Sequence, residues 1–356
     1  MRTVVVTGVS GSLGRRVAEL LDGVREPIRV IGIDRVVAPE RAPSVEFHRL
    51  DLAEDPGVEA LLRGCDAVVH LAWDAADLTG RDRQDPTATS DRNQRALRRV
   101  LQAAGEAAPS SLVHLSSATV YGAWSDNQVP LTEEAPLRPN PELAFAVGKA
   151  EAERQVTDWA EDHPEVGVAV LRPAVTVGWP ERPLYQALGG TRAPRGSGDS
   201  PRPVQFLHVD DLASAVVHVC VGGHRGVFNV APDHGIGEDL ARSLAGGVAK
   251  LTLPARAARA VGAWTWDLWR SGVPKEARAY ATHPWVVAAD RLMATGWSPE
   301  YTSEEALVAT DVRAHWDDLP PGTRQNYTLL VAVGGATAAG AAVAGAALAI
   351  RRRRRR

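Results

Sequence analysis

A glycine-rich turn set between a short apolar run and an amphipathic stretch constrains this chain more than any other feature. Residues 3–7 are β-branched and apolar. Gly8-Val9-Ser10-Gly11-Ser12-Leu13-Gly14 follows at once, and Leu13, Val17, Leu20 and Leu21 then recur at helical spacing. Strand, tight turn and helix in that order need glycines where the main chain bends sharply or approaches another group closely. The alternation continues along the chain. Residues 28–33, 67–71, 112–115 and 166–171 read as buried strands, with another short strand before Asp51. Residues 88–108 and 142–161 read as long helices. Strands separated by helices predict an α/β fold, a Rossmann-like doubly wound parallel sheet with right-handed crossovers and helices on both faces.

After Arg172-Pro173 the rhythm changes. Residues 178–205 are rich in Gly, Pro and Arg, and 189–203 read as a long loop. Residues 209–221 then read as a helix and 226–230 as a strand rejoining the main body. The expected organisation is a nucleotide-binding domain over 1–177 with return segments near 206–232. A smaller, interleaved substrate domain over 178–318 follows, mostly helical over 235–318, then a linker over 319–328. Trp264, Trp266 and Trp269 lie on a stretch that reads as a helix packed on the core or, alternatively, one lying on lipid. Loop residues Arg192, Arg195 and Arg202 read as a pyrophosphate clamp or as solvated charge.

The turn implies a dinucleotide. Its glycines admit the pyrophosphate to the backbone, and the helix that it opens offers N–H groups and the positive end of its dipole. Gly8, Ser10, Gly11, Ser12, Leu13 and Gly14 form this cradle, with the two serines as added donors. Asp34 ends the second strand, twenty residues beyond Gly14. A carboxylate there accepts from both ribose hydroxyls of the adenosine and repels a 2′-phosphate, which favours NAD over NADP. Arg35 weakens that preference, because a guanidinium there can hold the phosphate. Asp51-Leu52 follows the next strand; the carboxylate either meets the adenine amino group or caps a helix beginning near Glu54.

Charge gives no case for nucleic acid: the formal net charge is −3, and no zinc-ligand spacing or RNA-binding signature is visible. Two isolated cysteines, Cys65 and Cys220, imply a reducing compartment without a disulfide framework. Residues 1–7 are too short for the apolar core of a secretory signal, so a cytoplasmic body is expected. The C-terminus is different in kind. Residues 329–350 carry no charge and are mostly Ala, Gly, Val and Leu, and Arg351 to Arg356 follow directly. That length matches the roughly 20 residues of a membrane helix, although the run is only weakly hydrophobic and also reads as a low-complexity tail. The positive-inside rule places the arginines in the cytoplasm, where the body is also expected. One crossing cannot satisfy both, so the expectation is association with membrane lipid through the apolar segment and the arginines, the body remaining cytoplasmic.

Several segments together resemble the extended short-chain dehydrogenase/reductase superfamily, within it the NAD-dependent epimerase/dehydratase family that includes UDP-glucose 4-epimerase-like proteins. They are Thr7 to Gly14, His70-Leu71-Ala72, Ser116-Ser117-Ala118-Thr119-Val120-Tyr121-Gly122, Lys149-Ala150-Glu151, Leu171-Arg172-Pro173 and His208 to Ala213. The resemblance covers about residues 1–310 of the chain. It implies NAD as cofactor, a nucleotide sugar or related alcohol or carbonyl as small-molecule substrate, and a homodimer through the two long helices. It also implies that Leu71, Ala72 and Pro173 line the cofactor cleft and that Asn93 holds the active-site backbone. Ser117 would bind the substrate oxygen and Lys149 the nicotinamide ribose.

One position departs from the family pattern of Tyr-x-x-x-Lys. The chain has Phe145-Ala146-Val147-Gly148-Lys149. Spacing of four puts both side chains on one helix face, but phenylalanine keeps the ring and loses the proton-transfer hydroxyl. Tyr121 is the candidate substitute. His114 reads as a packed core residue, and Glu133 and Glu134 as solvated loop charges. Two expectations follow: an oxidoreductase or isomerase with an atypical active site, or a catalytically degenerate NAD-binding sensor or scaffold at the membrane.

Overall fold

The computed structural model describes residues 1–37, 44–75, 78, 86–178, 203–244 and 275–309. Residues Met1–Asp311 form one compact unit and Val312–Arg356 a second. The expected apolar segment, the arginine tail, the tryptophans at 264–269 and the loop arginines all lie outside the described residues. Among the described residues no helix is long and apolar enough to cross a membrane.

Strands β1 (Arg2–Thr7), β2 (Ile28–Asp34), β3 (Val45–Arg49), β4 (Ala67–His70), β5 (Ser111–Leu115), β6 (Gly167–Pro173) and β10 (Gly226–Val230) form one sheet, in the order β10-β6-β5-β4-β1-β2-β3. Every pairing in it is parallel. Helices cover both faces, which is why β1 and β4 carry unbroken apolar runs, Val4–Val6 and Ala67–Val69, rather than alternating. Shorter strands β7 (Val175–Val177), β8 (Pro203–Val204), β9 (Phe206–His208) and β11 (Ile236–Gly237) build two small side ladders.

Helix α1 (Ser12–Asp22) buries Leu13, Val17 and Leu21 from one stripe. It packs against the helix Val209–Gly222, which covers the same face of the sheet. On the opposite face lie α3 (Pro86–Ala107) and α4 (Ala144–Asp162), after the short α2 (Val58–Leu62). Leu97, Val100, Leu101 and Ala104 of α3 join Ala152 and Val156 of α4 over Val5, Ile31, Val68 and Leu112 of the strands. Full burial of each Leu or Val in such a layer contributes about 1.5–3 kcal/mol.

The helix expected to begin near Glu54 begins instead at Val58. Pro56 disfavours helical backbone at Asp55, and Gly57 takes φ +110°. Residues 51–55 instead close on themselves, Asp51 N–H donating to the Asp55 carboxylate and Ala53 N–H to Asp51 Oδ1. The region expected to be mostly helical shows only short helices among its described residues, such as Arg278–Thr282 and Ser303–Ala309.

Candidate active site

Strand order reverses between β1 and β4, and in open parallel sheets a ligand crevice opens at that point beyond the carboxyl ends of the strands. The glycine turn sits there. Gly8 takes φ +74°, and a Cβ on it would stand 2.8 Å from the Ala72 nitrogen. A Cβ on Gly14 would stand 2.2 Å from the Gly8 carbonyl oxygen, so only glycine lets α1 start so close to the turn. Gly11 is different: a Cβ there would meet only the Gly8 oxygen, at 3.4 Å. It caps α1 in extended conformation with no side-chain hydrogen bond. Two glycines thus serve the packing of the turn, and the third leaves open space over a helix N-terminus, which fits a pyrophosphate. Gly14→Ala is expected to destabilise the protein by about 2–3 kcal/mol through overpacking, read as a lower urea midpoint; an unchanged midpoint would contradict this geometry.

Asp34 stands at the rim. Its Oδ2 accepts from Ser10 N–H at 3.0 Å and its Oδ1 from Val36 N–H at 3.1 Å, and Ser10 Oγ donates to the Val36 carbonyl at 2.5 Å. Arg35 pairs with Asp74 at 2.6 Å. Asp51 Oδ1 accepts from Ala53 N–H within its own turn and its other oxygen pairs with Arg92, and no helix begins near Glu54 for it to cap. Leu52 is buried beside it. On the other wall, Asn93 grips the main chain of Asp74, its Oδ1 accepting from the Asp74 N–H at 2.8 Å and its Nδ2 donating to the Asp74 carbonyl at 2.9 Å. Ala72 N–H donates to Thr7 Oγ1 at 3.3 Å, and Leu71 N–H to the Thr7 carbonyl at 3.2 Å. Pro173 ends β6.

Beyond β5, Ser117 caps a 3-10 turn over Ala118–Tyr121, its Oγ accepting from Thr119 N–H at 3.2 Å and Thr119 Oγ1 at 3.0 Å. Phe145 and Lys149 lie one turn apart on the buried face of α4. Lys149 Nζ donates to the Leu115 carbonyl at 2.7 Å, two residues before Ser117. The ammonium also lies 3.8 Å from the centre of the Trp73 ring and 5.9 Å from that of Phe145. Phe145 meets Trp73 edge-on, with ring centres 6.4 Å apart. The fold therefore brings Ser117, Phe145 and Lys149 to one region. Sequence reasoning missed Trp73, which follows His70-Leu71-Ala72 directly and fills space left by Gly148: a Cβ there would come within 3.4 Å of the indole.

The candidates for replacing a tyrosine hydroxyl do not fit. Tyr121 is 1% exposed. Its hydroxyl accepts from Arg172 Nη1 at 2.8 Å and donates to Asn229 Oδ1 at 2.8 Å, and burial raises its pKa. Both bonds engage the hydroxyl inside the protein, away from an open face. His114 is a core residue, as expected, stacked on His70 with both ring nitrogens lacking partners. Burial and the nearby Lys149 ammonium hold His114 well below the usual imidazole range, and push His70 to about 3, so both are poor proton acceptors. Glu133 is not a solvated loop charge: its Oε1 accepts from Asn229 N–H at 2.8 Å. Glu134 is exposed and pairs with Arg291.

The model of the NAD dependent epimerase/dehydratase family matches residues 4–231, well over half of the chain. The chain belongs to the NAD-dependent epimerase/dehydratase family. Among relatives within that family, it is 31% identical over 242 residues to a dTDP-glucose 4,6-dehydratase of Streptomyces antibioticus, covering 63% of this chain and 70% of the relative. It is 26% identical over 329 residues to a GDP-6-deoxy-D-mannose reductase of Pseudomonas aeruginosa, covering 88% and 96%. Its fold is similar to that of a UDP-glucose 4-epimerase of Thermus thermophilus solved with NAD, at 21% identity and a TM-score of 0.64, covering 88% of this chain and 99% of that one.

Proposed function

We propose that this epimerase/dehydratase-family protein binds NAD in the cleft over Gly11 and a nucleotide-linked sugar beside Ser117, and that it runs oxidoreductase chemistry at a site lacking the usual phenol. The observation that carries the reading is the cradle itself: Gly8 and Gly14 closed against backbone, Gly11 open, and Asp34 fixed at the rim. When bound, NAD would supply the acceptor for hydride leaving a sugar carbon, and the sugar hydroxyl proton would pass to water. Ser117, with its oxygen already accepting from Thr119, directs its own proton to the substrate oxygen. Lys149, anchored on Leu115, holds the nicotinamide ribose and keeps positive charge beside the reacting oxygen. Phe145 occupies the tyrosine position and contributes packing against Trp73 but no proton transfer.

Calorimetric titration with NAD, followed by assay of UDP-, dTDP- and GDP-linked sugars, tests this. Ser117→Ala is expected to lower kcat about 100-fold or more while leaving NAD affinity unchanged, the signature of an interaction made in the transition state. Absence of NAD binding would sink the proposal. A second reading is favoured by Phe145 together with the fully engaged Tyr121 hydroxyl: a protein that keeps the cofactor site without turnover. Tight NAD binding with no detectable turnover of any sugar would decide for it.

A further inference from the structure

Arg35 sits beside Asp34, at the place where a guanidinium accommodates the 2′-phosphate of NADP. The NAD reading leaves this group unexplained. In the structure Arg35 Nη2 donates to Asp74 Oδ2 at 2.6 Å. Asp74 is held firmly from behind, because the Asn93 side chain grips its main chain through both N–H and carbonyl. The Arg35 main chain is held too, its carbonyl accepting from Arg49 Nε at 3.2 Å. Among the described residues, two further arginines near this rim are paired with carboxylates, Arg92 with Asp51 and Arg95 with Glu54. Partial burial and the proximity of Arg35 and Arg95 lower the Arg92 pKa. The rim has the charges of a phosphate site, and Arg35, Arg92 and Arg95 are each paired with a carboxylate.

We propose that Asp74 is a cofactor-specificity residue, a carboxylate that occupies Arg35 in place of a 2′-phosphate and so withholds from NADP its cation. Asp34 excludes the phosphate by repulsion, and Asp74 excludes it by denying it a partner. The assignment rests on the NAD reading of the cleft and extends it to residues outside the glycine turn.

Calorimetric titration of the full-length protein with NAD and with NADP tests it. Asp74→Asn retains the main-chain bonds to Asn93 and releases Arg35. It is expected to bind NADP about ten-fold more tightly than wild type, the scale of one charge-assisted hydrogen bond, with NAD affinity held within about two-fold. Adding Arg35→Gln to Asp74→Asn is expected to abolish the gain. NADP remains the weaker ligand throughout, since Asp34 is intact. No gain in NADP binding by an Asp74→Asn protein that still binds NAD overturns the assignment alone, as does a gain that survives loss of Arg35. Arg35→Gln alone keeps the test open should Asp74→Asn fail to fold: it is expected to leave NADP binding unchanged, and a weakening shows that Arg35 was available all along. Wild-type protein that binds no NAD overturns the cofactor reading and this assignment with it.

Discussion

Phe145→Tyr is expected to raise turnover of a nucleotide sugar by about 10²–10⁴-fold, the usual contribution of a positioned acid/base. The geometry is already prepared for the hydroxyl. Phe145 lies one helical turn from Lys149, and the ammonium stands 5.9 Å from its ring centre. A phenol on that ring shares the neighbourhood of the cation, and a nearby cation favours the phenolate. Lys149 itself is anchored through Leu115, so the substitution need not reorganise it. The variant should bind NAD as wild type does, because no other part of the cleft changes. Its rate should rise with pH as the new phenol ionises, a dependence that the wild type lacks. Equal rates from a folded, NAD-binding variant would place proton transfer on another group. The candidates visible in the sequence do not supply one: Tyr121 is committed to Arg172 and Asn229, and His114 resists protonation.

The framework was legible because its signals are local. Val4 to Val6 followed by glycine, and the Leu13–Val17–Leu21 stripe, place β1, the turn and α1 with no knowledge of the rest. Asp34 lies at the end of its strand for the same reason. What escaped reading depends on distant partners. Tyr121 looked like a neighbour of Ser117, but the 3-10 turn after Ser117 carries its hydroxyl to Asn229, more than a hundred residues away in sequence. Trp73 meets Lys149 only because the fold brings α4 to the segment that follows β4, and no periodicity reports which side chain fills a gap left by a glycine. Glu133 reads as solvated because its partner is a backbone N–H on β10. The helix expected near Glu54 begins later for a local reason, Pro56 followed by Gly57 at positive φ.

Glu153→Ala is expected to destabilise the protein by about 3–5 kcal/mol, the cost of leaving a buried guanidinium uncompensated. Glu153 and Arg172 are 3% and 5% exposed. Arg172 Nη2 meets Glu153 Oε2 at 2.5 Å, its Nε lies 3.0 Å from the same oxygen, and its Nη1 reaches the Tyr121 hydroxyl at 2.8 Å. Ser116 Oγ donates to the other carboxylate oxygen, and Tyr121 passes the chain on to Asn229. One network therefore joins α4, the exit of β5, β6 and β10. Those are the elements that set Ser117 against Lys149, so its loss should disturb the site as well as the fold. Substituting both charges, Glu153→Leu with Arg172→Met, removes the pair without stranding either partner and is expected to recover much of the lost stability. Thermal melting of the single and double variants measures this, and NAD titration separates the two consequences. If the double variant melts as low as Glu153→Ala, the hydrogen bonds to Tyr121 and Ser116 matter more than the uncompensated charge. If it recovers stability yet binds substrate poorly, the network's contribution is to the spacing of Ser117 and Lys149, and the ion pair is retained for geometry rather than for stability.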